Sequence, residues 1–194
     1  MASEIEVKFK VESFMRVREA LKAAGAEYLG TANQNDVYFE RADKSLGKGD
    51  CGLRVRTSVC IEHGTRGKTP ERFSPLLTLK GPRQPHGWLK VRREIQTHFD
   101  NADAMVEILR SLGLAGVTTV QKRRASYKLG NCRIELDELP LIGRFVEIEA
   151  PGEVSVRTVC EKLKLTGKPI STPYTDLLAT HRRRVGLPPT GQSK

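Results

Sequence analysis

Apolar and charged residues alternate over several short segments of the chain. In Ser3–Val11, glutamates and lysines occupy every second position, and Ile, Val and Phe side chains occupy the positions between them. This alternation places charged side chains on one face of a β-strand and apolar side chains on the other. The segments predicted as strands in this way are Ser3–Val11, part of Glu27–Arg41, Gly52–Val59, Pro75–Lys80, Trp88–Phe99, Thr118–Leu129, Cys132–Leu139 and Arg144–Ala150.

Other segments have the wider apolar spacing that is typical of amphipathic helices. The predicted helices are Glu12–Ala24, Ala102–Leu112, Val154–Leu165 and one near Tyr174–Val185. In the second of these, Asn101 is a suitable N-cap residue, and Ala104, Ile108 and Leu112 form one apolar stripe. We expect the apolar stripes to pack against the apolar faces of the strands.

The length of 194 residues fits a single domain, which we expect to span 1–185. A polar segment at about 57–74 is too long for a simple hairpin and is predicted to be a flexible insertion. The tail 186–194 is predicted to be disordered. The cysteines form no Cys-x-x-Cys pair, and the sequence has no signal peptide and no apolar run of membrane-spanning length. These features predict a cytoplasmic protein with reduced thiols and no membrane partner.

Eight strands that are joined mostly by hairpin-length turns favour a closed antiparallel β-barrel. If the helices pack on the outside of this α+β fold, the charged strand faces line the lumen as a tunnel. The residues that strand parity places in the lumen are Glu4, Glu6, Lys8, Lys10, Arg54, Arg56, Lys80, Lys90, Arg92, Glu94, Lys122, Arg124, Arg133, Glu135, Asp137, Glu147 and Glu149.

The charge of this predicted lumen indicates its partner. The net charge of +10 implies an anionic ligand, and basic residues outnumber acidic residues in the lumen. Because unpaired buried charges are costly, a polyphosphate chain that neutralises the arginines and lysines would stabilise the arrangement. Glu4, Glu6, Glu147 and Glu149 lie on the first and last strands, which meet when a barrel closes. These carboxylates suit Mg²⁺ or Mn²⁺, and the implied chemistry is phosphoryl or nucleotidyl transfer.

Short motifs follow one another in a fixed order from about Ser3 to Leu178. They are Glu4-Ile5-Glu6-Val7-Lys8, Asn35-Asp36-Val37-Tyr38-Phe39, Leu53-Arg54-Val55-Arg56, Leu79-Lys80-Gly81-Pro82, Lys122-Arg123-Arg124, Glu135-Leu136-Asp137, Phe145-Val146-Glu147-Ile148-Glu149 and Tyr174-Thr175-Asp176-Leu177-Leu178. In this order they resemble the CYTH family of triphosphate-tunnel enzymes, which includes CyaB-type (class IV) adenylate cyclases, thiamine triphosphatases and inorganic triphosphatases. The motif Lys80-Gly81-Pro82, together with the run Leu139–Glu149, is most similar to the CyaB-type branch.

The resemblance implies roles for individual residues. The metal ligands would be Glu4, Glu6, Glu147 and Glu149, and Asp137 would bind metal or orient a basic neighbour. The triphosphate would be bound by Lys8, Arg54, Arg56, Lys80, Lys122 and Arg124, to which lumen parity adds Lys10, Arg92 and Arg133. Tyr38 and Lys122 would position or deprotonate an attacking water. The organic end of the substrate stays undefined.

Several functions remain compatible with these patterns. ATP could be converted to cyclic AMP and pyrophosphate, or ATP, thiamine triphosphate or tripolyphosphate could be hydrolysed in the same site. A non-enzymatic binder of RNA or polyphosphate would also use the charge of +10, but it would need aromatic residues among outward basic side chains. The aromatic content of 6% and the shared parity of the strand charges favour the enzyme over a nucleic-acid partner. The oligomeric state stays open, with a homodimer as one option.

Overall fold

The computed structural model describes residues 3–64, 74–84 and 87–188, with the side chains of residues 3 and 4 left undescribed. The strands are β1 Ser3–Val11, β2 Glu27–Arg41, β3 Gly52–His63, β4 Leu76–Lys80, β5 Lys90–His98, β6 Leu114–Leu129, β7 Cys132–Leu139 and β8 Gly143–Ala150. The helices are α1 Met15–Ala23, α2 Ser45–Lys48, α3 Ala102–Ser111, α4 Glu153–Lys162 and α5 Tyr174–Arg184.

The strands form one closed antiparallel barrel in the order β1-β5-β4-β3-β2-β6-β7-β8. The barrel closes because β1 pairs with both β5 and β8. The predicted fold is therefore confirmed. Register decides which side chains meet, since a shift of one residue would move every side chain to the opposite face. In this register Lys8 lies opposite Glu147, and Arg124 lies opposite Asp137.

The largest hydrophobic cluster lies on the outer face of β1, β6, β7 and β8, beneath α1 and α4. Its buried residues include Val7, Phe9, Val17, Leu21, Ile134, Leu136, Val146, Ile148, Val156 and Val159. These are the apolar positions of the alternating strands and the apolar stripes of the two helices. Because the helices cover that face, the charged positions of the same strands point toward the barrel interior.

Helix α3 covers a second outer cluster that contains Phe39 and Val55. The predicted cap is confirmed, because the Asn101 side chain accepts a hydrogen bond from a backbone N–H of the first turn at 3.0 Å. The predicted stripe is wrong, because Ile108 is 54% exposed and Leu112 is 72% exposed. The residues of α3 that pack on the barrel are Met105, Val106 and Leu109. The two stripes are neighbours on the helix, so docking against the sheet decided between them.

Helix α5 closes one end of the barrel interior, which the sequence pattern did not predict. The buried residues of this cluster are Val120, Leu139, Ile142, Phe145, Tyr174 and Leu178. Three of them, Val120, Leu139 and Phe145, lie on the same face of their strands as the charged lumen residues. The rings of Phe145 and Tyr174 meet edge to face, with centroids 5.1 Å apart. The interior is therefore charged over part of its length and apolar where α5 enters.

The third strand is longer than predicted, and the insertion that follows it is shorter. Strand β3 continues to His63, which pairs with Gly30, so the segment expected at about 57–74 does not begin at residue 57. Residues 65–73 and 189–194 lie outside the described part of the chain, and the mobility predicted for them stays a prediction. None of the described helices combines the length and the apolar character that crossing a lipid bilayer requires.

Candidate active site

The charged part of the barrel interior is a cavity of about 890 Å³. Its described lining includes side chains from every strand and from the start of α5. The predicted site residues that line it are Glu6, Lys8, Tyr38, Arg54, Arg56, Lys80, Arg92, Lys122, Arg124, Arg133, Glu147 and Glu149. A sequence pattern spread over about 140 residues is thus brought together around one space.

Three predicted site residues are not part of this lining. The side chain of Glu4 lies outside the described residues. Asp137 is fully buried behind the lining. The lumen position predicted for Lys10 is wrong, because its side chain is exposed, with its ammonium nitrogen 5.9 Å from the centroid of the Phe145 ring. At that level the apolar α5 cluster fills the interior, so the lysine extends its charge into solvent.

One wall of the cavity is organised by a buried carboxylate on β2. Asp36 accepts two hydrogen bonds from Arg56, at 2.6 and 2.7 Å, and lies 3.5 Å from Arg54. Arg54 also donates to the hydroxyl of Thr78 at 3.1 Å. Burial would raise the pKa of Asp36, but Arg56 and Arg54 hold it far below its ordinary value. Both arginines therefore reach the cavity already oriented by one anion.

A second buried carboxylate, on β7, orients the basic side chains of the neighbouring strand β6. Asp137 accepts hydrogen bonds from Arg124 at 2.6 Å, from Lys122 at 3.1 Å and from the hydroxyl of Tyr174 at 3.0 Å. Burial would raise the pKa of Asp137, but Arg124 and Lys122 lower it. Because both carboxylate oxygens are engaged, these contacts correspond to the orienting role that the sequence left open beside metal binding.

Lys122 lines the cavity with its side chain buried and its pKa displaced. Burial and the neighbouring Arg124 lower its pKa to about 8, although Asp137 opposes the shift. A lysine with this pKa is partly neutral at physiological pH and can accept a proton. Its ammonium nitrogen lies 5.1 Å from the centroid of the Tyr174 ring.

The remaining wall, on β1, β7 and β8, is rich in glutamates. Glu6 pairs across the strands with Glu149, and Glu135 pairs with Glu147. Glu147 accepts from Arg124 at 2.6 Å and lies 3.5 Å from Lys8. Burial, together with the charge of Glu149, raises the pKa of Glu135 to about 7, although Arg124 lowers it. One oxygen of Glu135 is buried without a hydrogen-bond partner among the described residues.

This glutamate wall fits a divalent cation. Among the side chains that the structure describes, no three acidic, His or Cys groups are close enough to bind a metal by themselves. Mg²⁺, however, is usually held by one or two carboxylates together with substrate phosphates. Glu135 Oε2 lies 4.0 Å from Arg124 and accepts no hydrogen bond among the described residues, and beside Glu147 and Glu149 it is a hard ligand of the kind that such a cation prefers.

Comparison with known proteins agrees with this geometry. A model of the CYTH domain matches residues 2–166. The chain belongs to the CYTH family. MJ0240 of Methanocaldococcus jannaschii, provisionally named an adenylate cyclase, is 28% identical over 162 residues, which are 84% of this chain and 82% of that protein. Adenylate cyclase CyaB of Aeromonas hydrophila is 28% identical over 146 residues, covering 75% of this chain and 67% of the relative.

The fold is also similar to that of a solved structure. The PH1819 protein from Pyrococcus horikoshii OT3 is 28% identical to this CYTH chain and superposes with a TM-score of 0.73. The match covers 92% of this chain and 99% of that protein.

Several residues of this CYTH site were missing from the predicted site set. Asp36 has the parity of the lumen face of β2, so the alternation contained a signal for it. Glu135 was placed in the lumen but received no role. Tyr174 lies on a helix, and Asp50 and Arg83 lie in connecting segments, so strand parity could not have found them.

Proposed function

We propose that this CYTH protein is a metal-dependent enzyme that acts on a triphosphate bound in the barrel cavity. The observation that carries the proposal is the division of the cavity into a basic part and a glutamate wall. Eleven lysine and arginine side chains and seven aspartate and glutamate side chains are found in its described lining. A triphosphate offsets this excess of positive charge, and a divalent cation offsets the glutamates.

The basic residues would bind the phosphate chain. Arg54, Arg56 and Arg124 are held by buried carboxylates, so they lose little conformational entropy when an anion binds. Lys8, Lys80, Arg92 and Arg133 would add further positive charge along the cavity. Although the family match ends at residue 166, we include α5 in the domain because Tyr174 contacts Asp137.

The glutamates would hold the metal. Glu6, Glu147 and Glu149, with Glu4, are the proposed ligands of Mg²⁺ or Mn²⁺. When bound, the cation would neutralise charge on the phosphate oxygens during transfer. Glu6 lies 3.3 Å from Lys90, and Glu147 is bound to Arg124, so a cation would share these carboxylates with basic side chains.

Two reactions are compatible with this site. In hydrolysis, water attacks the terminal phosphorus, the bond to the bridging oxygen breaks, and neutral Lys122 accepts the proton of the water near Tyr38. In cyclisation, the ribose 3′-hydroxyl of ATP attacks the α-phosphorus, neutral Lys122 accepts the hydroxyl proton, the bond from the α-phosphorus to the bridging oxygen breaks, and pyrophosphate leaves. The names of the two relatives support the cyclase, and a cavity of about 890 Å³ is in the usual range for ligands of nucleotide size.

A product assay tests the proposal. Purified protein is incubated with ATP, thiamine triphosphate or tripolyphosphate, with Mg²⁺ or Mn²⁺, and cyclic AMP, pyrophosphate and orthophosphate are measured. Cyclic AMP with pyrophosphate identifies a cyclase, and orthophosphate identifies a triphosphatase. No product with any substrate and either metal would refute the enzymatic function.

A matched pair of variants tests whether turnover depends on the charges inside the cavity or only on the overall positive charge of the protein. Arg124→Gln removes a cavity donor and should lower turnover by about a hundredfold or more. Arg123→Gln makes the same change at an exposed position on the other face of β6 and should leave turnover unchanged. Equal losses in both variants would contradict a site inside the barrel.

A further inference from the structure

Asp50 lies at the rim of the cavity, in the segment that follows α2. One of its carboxylate oxygens accepts hydrogen bonds from the backbone N–H and from the Nε of Arg83, both at 2.8 Å. Its other oxygen accepts from the Nη2 of Arg92 at 3.2 Å. Three donors from two arginines therefore converge on one carboxylate, in the manner in which such donors bind a phosphate group.

This anion position is continuous with the cavity. Asp50, Arg83 and Arg92 all contribute to its lining. The side chain of Arg92 is only 9% exposed, whereas those of Asp50 and Arg83 are 38% and 42% exposed. The Nε of Arg92 is also buried without a hydrogen-bond partner among the described residues. Asp50 therefore accepts from only one nitrogen of Arg92 and leaves the Nε of this buried side chain without a hydrogen bond.

The backbone around Asp50 is held in an uncommon conformation. Lys44 and Asp50, on either side of α2, have φ angles of 58° and 52°, which residues other than glycine adopt infrequently. The base of the segment is anchored by Glu40, whose carboxylate accepts from the N–H groups of Leu46 and Gly47 at 3.1 and 2.7 Å. Only the tip that carries Asp50 has to move for the carboxylate to leave the two arginines.

We propose that Asp50 is an internal competitor that occupies an anion subsite formed by Arg83 and Arg92, and that a substrate phosphate displaces it. The inference depends on the proposed triphosphate function. A phosphate and the Asp50 carboxylate repel each other, so the two cannot share the donors of this subsite. The ion pair thus lies at the rim of the cavity and weakens the binding of any anion that cannot replace Asp50.

Calorimetry of inorganic tripolyphosphate binding in the presence of Mg²⁺ tests whether Asp50 competes with phosphate for the two arginines. Asp50→Asn should bind about three- to tenfold more tightly than wild type, since a partly exposed ion pair no longer competes. Asparagine also tolerates the left-handed backbone at this position. The matched control is Asp103→Asn, which makes the same change in charge at an exposed position of α3. Arg83→Gln should weaken binding, and the gain from Asp50→Asn should shrink in that background.

Two outcomes distinguish the possible failures. If Asp50→Asn binds no more tightly than Asp103→Asn, the competitor is refuted while the triphosphate site stands. If wild type binds no tripolyphosphate, the triphosphate function and the competitor are both refuted. Hydrogen exchange of the wild type is an independent measurement, in which tripolyphosphate should speed exchange of the amides in 47–51. Unchanged or slower exchange there would also overturn the displacement.

Discussion

Replacing Asp36 by Asn would leave two cavity arginines without their shared carboxylate. In the native protein Arg56 makes two hydrogen bonds to Asp36, at 2.6 and 2.7 Å, and Arg54 lies 3.5 Å away. All three side chains are buried. The substitution keeps the volume and one acceptor oxygen, so it removes the negative charge with little change in packing.

The expected cost follows from the burial of this ion group. Removing one partner of a buried salt bridge costs about 3–5 kcal/mol, because the remaining charge stays desolvated. Because Asp36→Asn retains one acceptor oxygen, we expect a loss near the lower end of this range, about 3 kcal/mol in the free energy of unfolding. Since domains are usually stable by about 5–15 kcal/mol, the variant should fold but unfold at a clearly lower urea concentration.

Urea unfolding followed by circular dichroism measures this loss. Asp103→Asn, exposed on α3, is the control and should change stability by no more than about 0.5 kcal/mol. Tripolyphosphate should stabilise Asp36→Asn more than wild type, because the anion supplies the charge that the arginines have lost. A loss below about 1 kcal/mol, or equal stabilisation of both proteins by the anion, would refute the proposed dependence of the arginines on Asp36.

The pH dependence of the same comparison provides a separate check. The folded pKa of Asp36 is far below its unfolded value of 3.8, because Arg56 and Arg54 outweigh the effect of burial. A depressed carboxyl pKa contributes stability that is present above the unfolded pKa and is lost as the pH falls toward the folded pKa. The difference in stability between wild type and Asp36→Asn should therefore be constant above about pH 5 and decrease below about pH 4.

Three further predictions concern Lys122, Tyr174 and the glutamates of the cavity. If neutral Lys122 accepts the proton, turnover should increase as the pH rises through about 8, the value to which burial and its neighbours lower its pKa, and Lys122→Met should lose that increase. Tyr174→Phe removes the 3.0 Å hydrogen bond to Asp137 and should cost about 1–2 kcal/mol in urea unfolding. Chelation should abolish turnover, and Glu149→Gln should raise the metal concentration needed for half-maximal activity about tenfold or more.

Control variants outside the cavity test whether these effects are specific to the site. A pH profile that keeps its rise in Lys122→Met would exclude that lysine as the proton acceptor. Tyr127→Phe changes a half-buried tyrosine outside the cavity, and an equal loss there would mean that the Tyr174 hydroxyl has no special contact. Glu161→Gln, exposed on α4, should leave the metal requirement unchanged, and a shift equal to that of Glu149→Gln would argue against the glutamate wall.

Local patterns predicted most of the strands because their side-chain period is independent of distant contacts. Ser3–Val11 and Cys132–Leu139 have the predicted limits. Arg123 is exposed between the buried cavity residues Lys122 and Arg124, as the side-chain period of a strand requires. The buried face of helix α3 could not be predicted in this way, because both of its adjacent apolar stripes satisfy the helical period. Only docking on the barrel selected one of them.

Pairing of distant segments could not be predicted from the same patterns. Nothing in the alternation of β2 indicates that Asp36 lies opposite Arg56, because that pairing depends on the register between β2 and β3. The contact of Tyr174 with Asp137 joins positions 37 residues apart through a helix that enters the barrel. Asp137 was predicted to bind metal or to orient a basic neighbour, and in the structure strand pairing and the docking of α5 place two basic side chains and a tyrosine around it.

The amino-acid sequence by itself determined that the strands have one apolar and one charged face, because alternation and side-chain polarity are local properties. It followed that the helices must cover the apolar faces and that the charges must meet inside a closed sheet. Only the tertiary structure decided where the charged interior ends, through the apolar cluster beneath α5. It also decided which basic side chains surround each buried carboxylate, since these contacts depend on strand register and helix docking across distant parts of the chain.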